Sequence, residues 1–435
     1  MAVLVAAIAG GVVAIVLIGG REPTPSVAAT ATATATAAQL PTAIGAGDIT
    51  PHLDALATAA REGGTRAAGT PGDEATRAYV VDALREAGWR VTVQPVRFPY
   101  FDEHRAPRVT LPGGRRLAAG RDVRTLAYSA GGRATGAVRA IPGGQDAGCR
   151  AGDFAALRDG EVALVQRGTC RMSVKARNAQ AAGASAVLIV NDGRPGNRGA
   201  IAGTLGAPGL RIPAVFLSTA AGRDVRAAGR VTVDVDAVSE QRRTANVLAE
   251  TGDGPRVAMA GAHLDSVTDG PGINDDGSGV AALLAAAETL RGRAPDGTRL
   301  RLGLWGAEEL GLYGSRRYVA GLGEAARKAI AGYVNLDMVG TRDGDVAVYR
   351  GDDGIRRSLR RALTERGVDD IGSENLGASS DHAPFARAGI PVGGIFTGLD
   401  RCYHRACDDA GNVDPDRAAD AAAATAATLL DITSP

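Results

Sequence analysis

What this chain most plainly lacks is an excess of charge of either sign: 49 Lys and Arg stand against 48 Asp and Glu, a formal net charge of +1. No global field draws it to nucleic acid or to an anionic lipid surface, so neither is expected as a partner of the folded part. Charge is also missing from residues 1–20, which are almost entirely Ala, Val, Leu, Ile and Gly. Such a segment fits a signal sequence or a membrane anchor, and both mean export. The usual cationic start is absent, the first basic residue being Arg21, so cleavage with secretion and anchoring on the outer face of the membrane both stay open. The Thr/Ala alternation that follows has little apolar area to bury and reads as a linker or stalk.

Cysteine and histidine are scarce, four and five residues among 435. The cysteines form two close-spaced pairs, Cys149 with Cys170 and Cys402 with Cys407, which an exported protein is expected to oxidise; four buried free thiols are the alternative. Three of the histidines, His263, His382 and His404, fall in the last part of the chain beside acids or an unusual loop. With 45% hydrophobic and 22% charged residues the chain can bury a sizeable core, and its length suits two domains.

From Asp73 to Ala87 the apolar positions recur at helical spacing, with Gly88 as a stop, and residues 90–98 read as extended. Residues 106–238 are Gly-rich and strand-rich, with short apolar runs at 162–165, 186–190 and 214–217. Beyond them strands at 257–262, 300–305, 333–338 and 392–396 alternate with helices at 279–290 and near 312–320. That order predicts an α/β fold, a mixed β-sheet flanked by helices. In such sheets ligands sit beyond the carboxyl ends of the strands. His263 follows one strand, Glu308 and Glu309 another, Asp337 ends a third and His404 follows a fourth, so four strand ends present polar groups together.

Two imidazoles and three carboxylates suit Zn²⁺, and two ions need a shared ligand. Asp275, in the run GPGINDDGSGV, can bridge them because its glycine neighbours let the backbone approach closely. His263 and Asp337 then complete one set, Glu309 and His404 the other. A metal-bound hydroxide forms near neutral pH, and Glu308 is the candidate general base. Asp265 is placed to orient the His263 imidazole from behind. His382, in SSDHAPFARAGIP, is the weakest of the three histidines and is read as shaping the pocket floor.

The runs GAHLDSV, GPGINDDGSGVAALL, WGAEELGLYGSRRYV, GYVNLDMVG, SDHAPFARAGIPVGGIFTG and DRCYHRACD resemble the secreted bacterial leucyl aminopeptidases of metallopeptidase family 28, as does GTPGDEATRAYVVDALREAGW near the start. The resemblance covers nearly all of residues 47–105 and 239–435. It implies a two-zinc exopeptidase fold in which His263, Asp275, Glu309, Asp337 and His404 match metal ligands, Glu308 the base and Tyr403 a tyrosine that steadies the tetrahedral intermediate. It also implies a cis bond after Asp275. The middle region resembles a β-rich protease-associated (PA) domain whose usual bridge Cys149 and Cys170 match. The expected organisation is thus an export segment and linker at 1–46, a catalytic domain at 47–105 and 239–435, and an inserted PA domain at 106–238.

Some relatives carry an Arg where this chain has Ser379, and a long loop is here reduced to Leu399-Asp400. A calcium site of some relatives matches Asp48, Ile49, Asp416 and Asp420; acids favouring a helix N-terminus are the competing explanation. The expected activity is that of a monomeric aminopeptidase releasing large apolar N-terminal residues from peptides with a free amine. A carboxypeptidase or dipeptidase on the same scaffold, and a PA-domain binding protein without catalysis, are the alternatives.

Overall fold

The computed structural model describes residues 44–375 and 377–433, so the expected export segment and nearly all of the linker lie outside the described residues. Fourteen strands form one sheet. In chain order they are β1 (Arg90–Thr110), β2 (Val123–Ala127), β3 (Gly132–Ala140), β4 (Val162–Gln166), β5 (Ala186–Val190), β6 (Gly203–Thr204), β7 (Ala214–Leu217), β8 (Arg230–Gly252), β9 (Arg256–His263), β10 (Thr298–Trp305), β11 (Ile330–Leu336), β12 (Ala347–Tyr349), β13 (Gly372–Glu374) and β14 (Val392–Phe396). The helices are α1 (Ala46–Gly63), α2 (Pro71–Glu86), α3 (Met172–Ala181), α4 (Thr219–Ala228), α5 (Ser278–Thr289), α6 (Tyr313–Ala320), α7 (Glu324–Ala329), α8 (Asp353–Glu365), α9 (His382–Arg387) and α10 (Pro415–Thr433).

Local chemistry explains the better-marked elements. Thr70 accepts from the Asp73 N–H and Pro71 opens α2, while Gly88 at φ +80° ends that turn. Helix α5 is Ala, Val and Leu almost throughout and is buried from Ser278 to Ala287. It packs with α1, α2, α8 and α10 over one face of the sheet, against Ala258, Ala260 and Ala262 of β9. The alternate residues Val257 and Met259 turn to the other face, where Trp305, Tyr318, Tyr333 and Phe385 close a second core.

Strand β1 runs on to Thr110, well past the expected end at Phe98, and pairs antiparallel with β8 from Arg90↔Glu250 to Thr110↔Thr232. One end of β8 also pairs with β10 and the other with β3, so the two long strands form a ribbon joining two sheet regions. Among the described residues β1 pairs only with β8, and Pro95 and Pro99 suit such an edge strand, where half of the N–H groups have no ladder partner to lose. Beyond the ribbon, β3, β4, β5 and β7 are parallel neighbours, with α4 packed on one face and α3 on the other. Cys149 and Cys170 are disulfide-bonded in this region, as are Cys402 and Cys407 in the other.

Candidate metal centre

The polar residues after β9, β10 and β11 converge with the loop after β14. His263 is the last residue of β9, with its N–H donating to Asp276 Oδ2 at 3.0 Å. Its Nδ1 lies 3.0 Å from the Asp265 backbone carbonyl, which can only accept, so Nδ1 carries the proton and Nε2 is left as a lone-pair donor. That Nε2 is 3.1 Å from Asp275 Oδ1 and 3.7 Å from Asp337 Oδ1. The other Asp275 oxygen is 3.2 Å from His404 Nε2, which in turn is 3.1 Å from Glu309 Oε2. Two sets thus arise, His263–Asp275–Asp337 and Asp275–Glu309–His404, each with its ligand atoms close enough to share an ion.

The groups behind this layer carry the backbone. The Asp265 carboxylate is 4.0 Å from the imidazole and instead accepts from the N–H groups of Glu308 (3.0 Å) and Glu309 (3.4 Å). The expectation that this acid orients His263 is therefore revised: its backbone carbonyl does so, while its side chain holds the two glutamates. Asp408 accepts from Asn274 N and Asp275 N at 2.9 and 3.0 Å. Asp276 also receives the N–H of Gly279 at 3.0 Å and of Met338 at 3.3 Å. Arg66, fully buried, donates to the carbonyls of Leu264, Pro271 and Gly272. Gly272 must be glycine, at φ +63° with the Asp275 carbonyl oxygen 2.4 Å from where a Cβ would stand. The bond between Asp275 and Asp276 is cis. Arg66, Asp276 and Asp408 were not singled out in the sequence; only the doubled Asp of the NDDG run hinted at one of them.

The protein's own charges leave this cluster short of a cation. Burial, with Asp381, Asp337 and Glu309 nearby, pushes Glu308 well above the usual carboxylate range, and burial likewise raises Glu309. Burial opposes charging His263, but its bonds to Asp275 and Asp337 outweigh this and raise it well above an ordinary imidazole. Bonds to Asp275 and Glu309 lift His404 to about 10. Glu309 Oε1 is buried with no hydrogen-bond partner. An orphaned carboxylate oxygen, three acids and two imidazoles turned on one another form a donor set that fits zinc.

A cavity of about 400 Å³ opens on the cluster, with Met338, Phe396 and Leu399 as apolar walls and Glu308 and Tyr403 at the reactive side. The Tyr403 ring stacks on His404 with centroids 3.8 Å apart, and burial followed by the neighbouring acids pushes its hydroxyl up to about 12. His382 stands apart, its Nε2 3.1 Å from the Gly377 carbonyl and its ring edge-on to Tyr349. The residues of the expected calcium set lie on α1 and α10, with Asp416 among the charges that act on Asp420. Asp48 accepts from Gly45 N at the start of α1, Ile49 is buried, Asp420 is held by Arg366 at 2.7 Å, and none of the three acids belongs to either ligand group found among the described residues.

Residues 246–429 match peptidase family M28, and residues 134–225 match the PA domain. An aminopeptidase of Pseudomonas aeruginosa is 34% identical, over 91% of this chain and 82% of its own length. A probable lipoprotein aminopeptidase of Mycobacterium tuberculosis is 38% identical, over 80% of this chain and 73% of its own. The structure of BSAP, a zinc aminopeptidase from Bacillus subtilis, superposes with a TM-score of 0.58 at 26% identity, over 88% of this chain and 94% of that one. By these likenesses, and with a donor set that fits zinc in place, the chain belongs to peptidase family M28 and is a metallo-aminopeptidase carrying a PA domain.

Proposed function

We propose that this chain binds two zinc ions and, as an exported monomer, removes N-terminal residues with large apolar side chains from peptides. The observation that carries the reading is Asp275, whose two oxygens face two different histidines at 3.1 and 3.2 Å, the geometry a shared ligand needs. His263 and Asp337 would hold one ion, Glu309 and His404 the other. Zinc, when bound, polarises the scissile carbonyl and brings the pKa of water to about 7.

Glu308, uncommitted to either ligand set and of raised proton affinity, takes the proton from water and returns it to the leaving nitrogen. Tyr403 keeps its phenol proton throughout the physiological range and donates to the substrate oxygen as negative charge grows there. Glu308 and Asp337 face the substrate's free amine, and Met338, Phe396 and Leu399 enclose its side chain. No Lys or Arg lines the cavity among the described residues, so a substrate carboxylate finds no counter-charge, which disfavours a carboxypeptidase. Export is supported by the uncharged stretch at residues 1–20, the two disulfides and the lipoprotein relative.

The test is metal analysis together with cleavage of Leu-Ala-Phe, free or acetylated at its N-terminus. Two zinc ions per chain and hydrolysis of the free peptide alone, abolished by a chelator, are expected. A metal-free active protein, or cleavage confined to the acetylated peptide, overturns the proposal.

A further inference from the structure

We propose that the residue following the scissile bond is selected by a second pocket, built jointly by Leu310 and the ribbon residue Tyr100, which accepts apolar or aromatic side chains. The inference rests on the aminopeptidase reading and adds to it the identity of the substrate's second residue.

The direction of the departing chain is set by proton transfer. The group that protonates the leaving nitrogen must lie within hydrogen-bond reach of it, so the leaving residue passes on the side of Glu308. The next residue, Glu309, is a wall common to the metal cavity and to a neighbouring cavity of about 150 Å³, sized for one side chain. That second cavity is floored by Ala67, Ala68 and Tyr100 and flanked by Leu310, with Asp102 also on its wall. It therefore begins where the substrate's second residue must go.

Exposure points the same way. Only four large hydrophobic residues are exposed among those described: Val93, Leu310, Leu399 and Tyr403. Leu399 and Tyr403 line the metal cavity and Leu310 the second one, so three of the four sit where a bound peptide would cover them. Apolar bulk left open at a cleft marks a surface completed by a ligand.

Tyr100 is a rigid floor. It is buried against Ala68 and Ala307 under the guanidinium of Arg242, which lies 3.4 Å from its ring centroid, and Arg242 belongs to the partner strand β8. Its neighbour Phe101 packs on Tyr128 just past β2, with centroids 5.8 Å apart. The strand that leads into the inserted region thus also supplies part of the substrate site.

The experiment compares kcat/KM for Leu-Phe-Gly and Leu-Gly-Gly with the zinc-loaded full chain and the variants Leu310→Ala and Tyr100→Ala. The Phe peptide should be preferred about tenfold, and the preference should fall about fivefold or more in Leu310→Ala, with Tyr100→Ala following. Leu310 is exposed and outside the core, so its variant remains informative if Tyr100→Ala fails to fold. Equal rates for both peptides in the parent, or an unchanged preference in Leu310→Ala, overturn the inference. Hydrolysis of neither peptide by the parent would instead overturn the aminopeptidase reading beneath it.

Discussion

The catalytic region and the inserted region share one plan and differ in the side chains placed at their strand ends. In each, parallel strands lie between helices, β9, β10, β11 and β14 in one and β3, β4, β5 and β7 in the other. Each has a cavity beyond its strand ends, of about 400 and 470 Å³. In the insert the strand-end side chains serve their own backbone. Asn191 donates to Gly199 O at 2.7 Å and accepts from Arg167 and Asp192 N, while Ser218 caps α4. In the catalytic region a separate layer, Asp265, Asp276, Asp408 and Arg66, holds the loops, and His263, Asp275, Glu309, Asp337 and His404 are left to face one another. The plan supplies a crevice; a reactive site needs a further set of groups to free the first.

The largest test of that contrast is Glu308→Gln. Activity on a leucyl peptide should fall on the order of a thousandfold with the melting temperature little changed. Comparable activity in the variant would remove the catalytic side of the comparison. Acid comes next. Burial holds His52 down at about 4, against 6.5 unperturbed, with Asp48 pulling weakly the other way, while Nδ1 sits 2.6 Å from the Tyr79 hydroxyl. A depressed histidine stays neutral in the fold, so its contribution is complete above pH 6.5 and is lost as pH falls from 6.5 towards 4. About 3 kcal/mol should disappear over that window. Urea unfolding against pH should show it, hydrogen exchange should place it in α1 and α2, and His52→Gln should flatten the profile. Loss beginning in the insert would contradict the assignment. The smallest effect belongs to the insert's strand ends. Asn191→Ala should cost about 2 kcal/mol by denaturant titration without altering kcat, whereas a selective fall in kcat would show that the insert's strand ends act in the chemistry.

How much is legible in the sequence depends on the range of the interactions. Helix α5 and strand β14 are legible because a run of apolar residues decides each locally. The middle of β1 is not, since three prolines and the charges of Asp102, Glu103 and Arg105 argue against a strand until β8 is alongside. The five ligand candidates and Glu308 are visible because histidine is scarce and acids after strands are informative. Asp408 is invisible: it meets Asn274 and Asp275 across more than a hundred residues, and one aspartate among the three of DRCYHRACDD carries no sign of that. The Asp265 side chain is easily given the wrong neighbour because two residues' separation suggests an imidazole partner, while the β10 loop that claims the carboxylate is over forty residues away.

The ribbon of β1 and β8 has a mechanical meaning. Two paired strands do not swivel like a flexible linker; they resist bending within the ladder and yield most readily in twist, above all at the register shifts between Glu103 and Arg108. Tyr100 lies on the regularly paired side of those shifts, so the floor under the substrate's second residue belongs to the stiffer end of the ribbon and the turn towards the PA domain to the softer one.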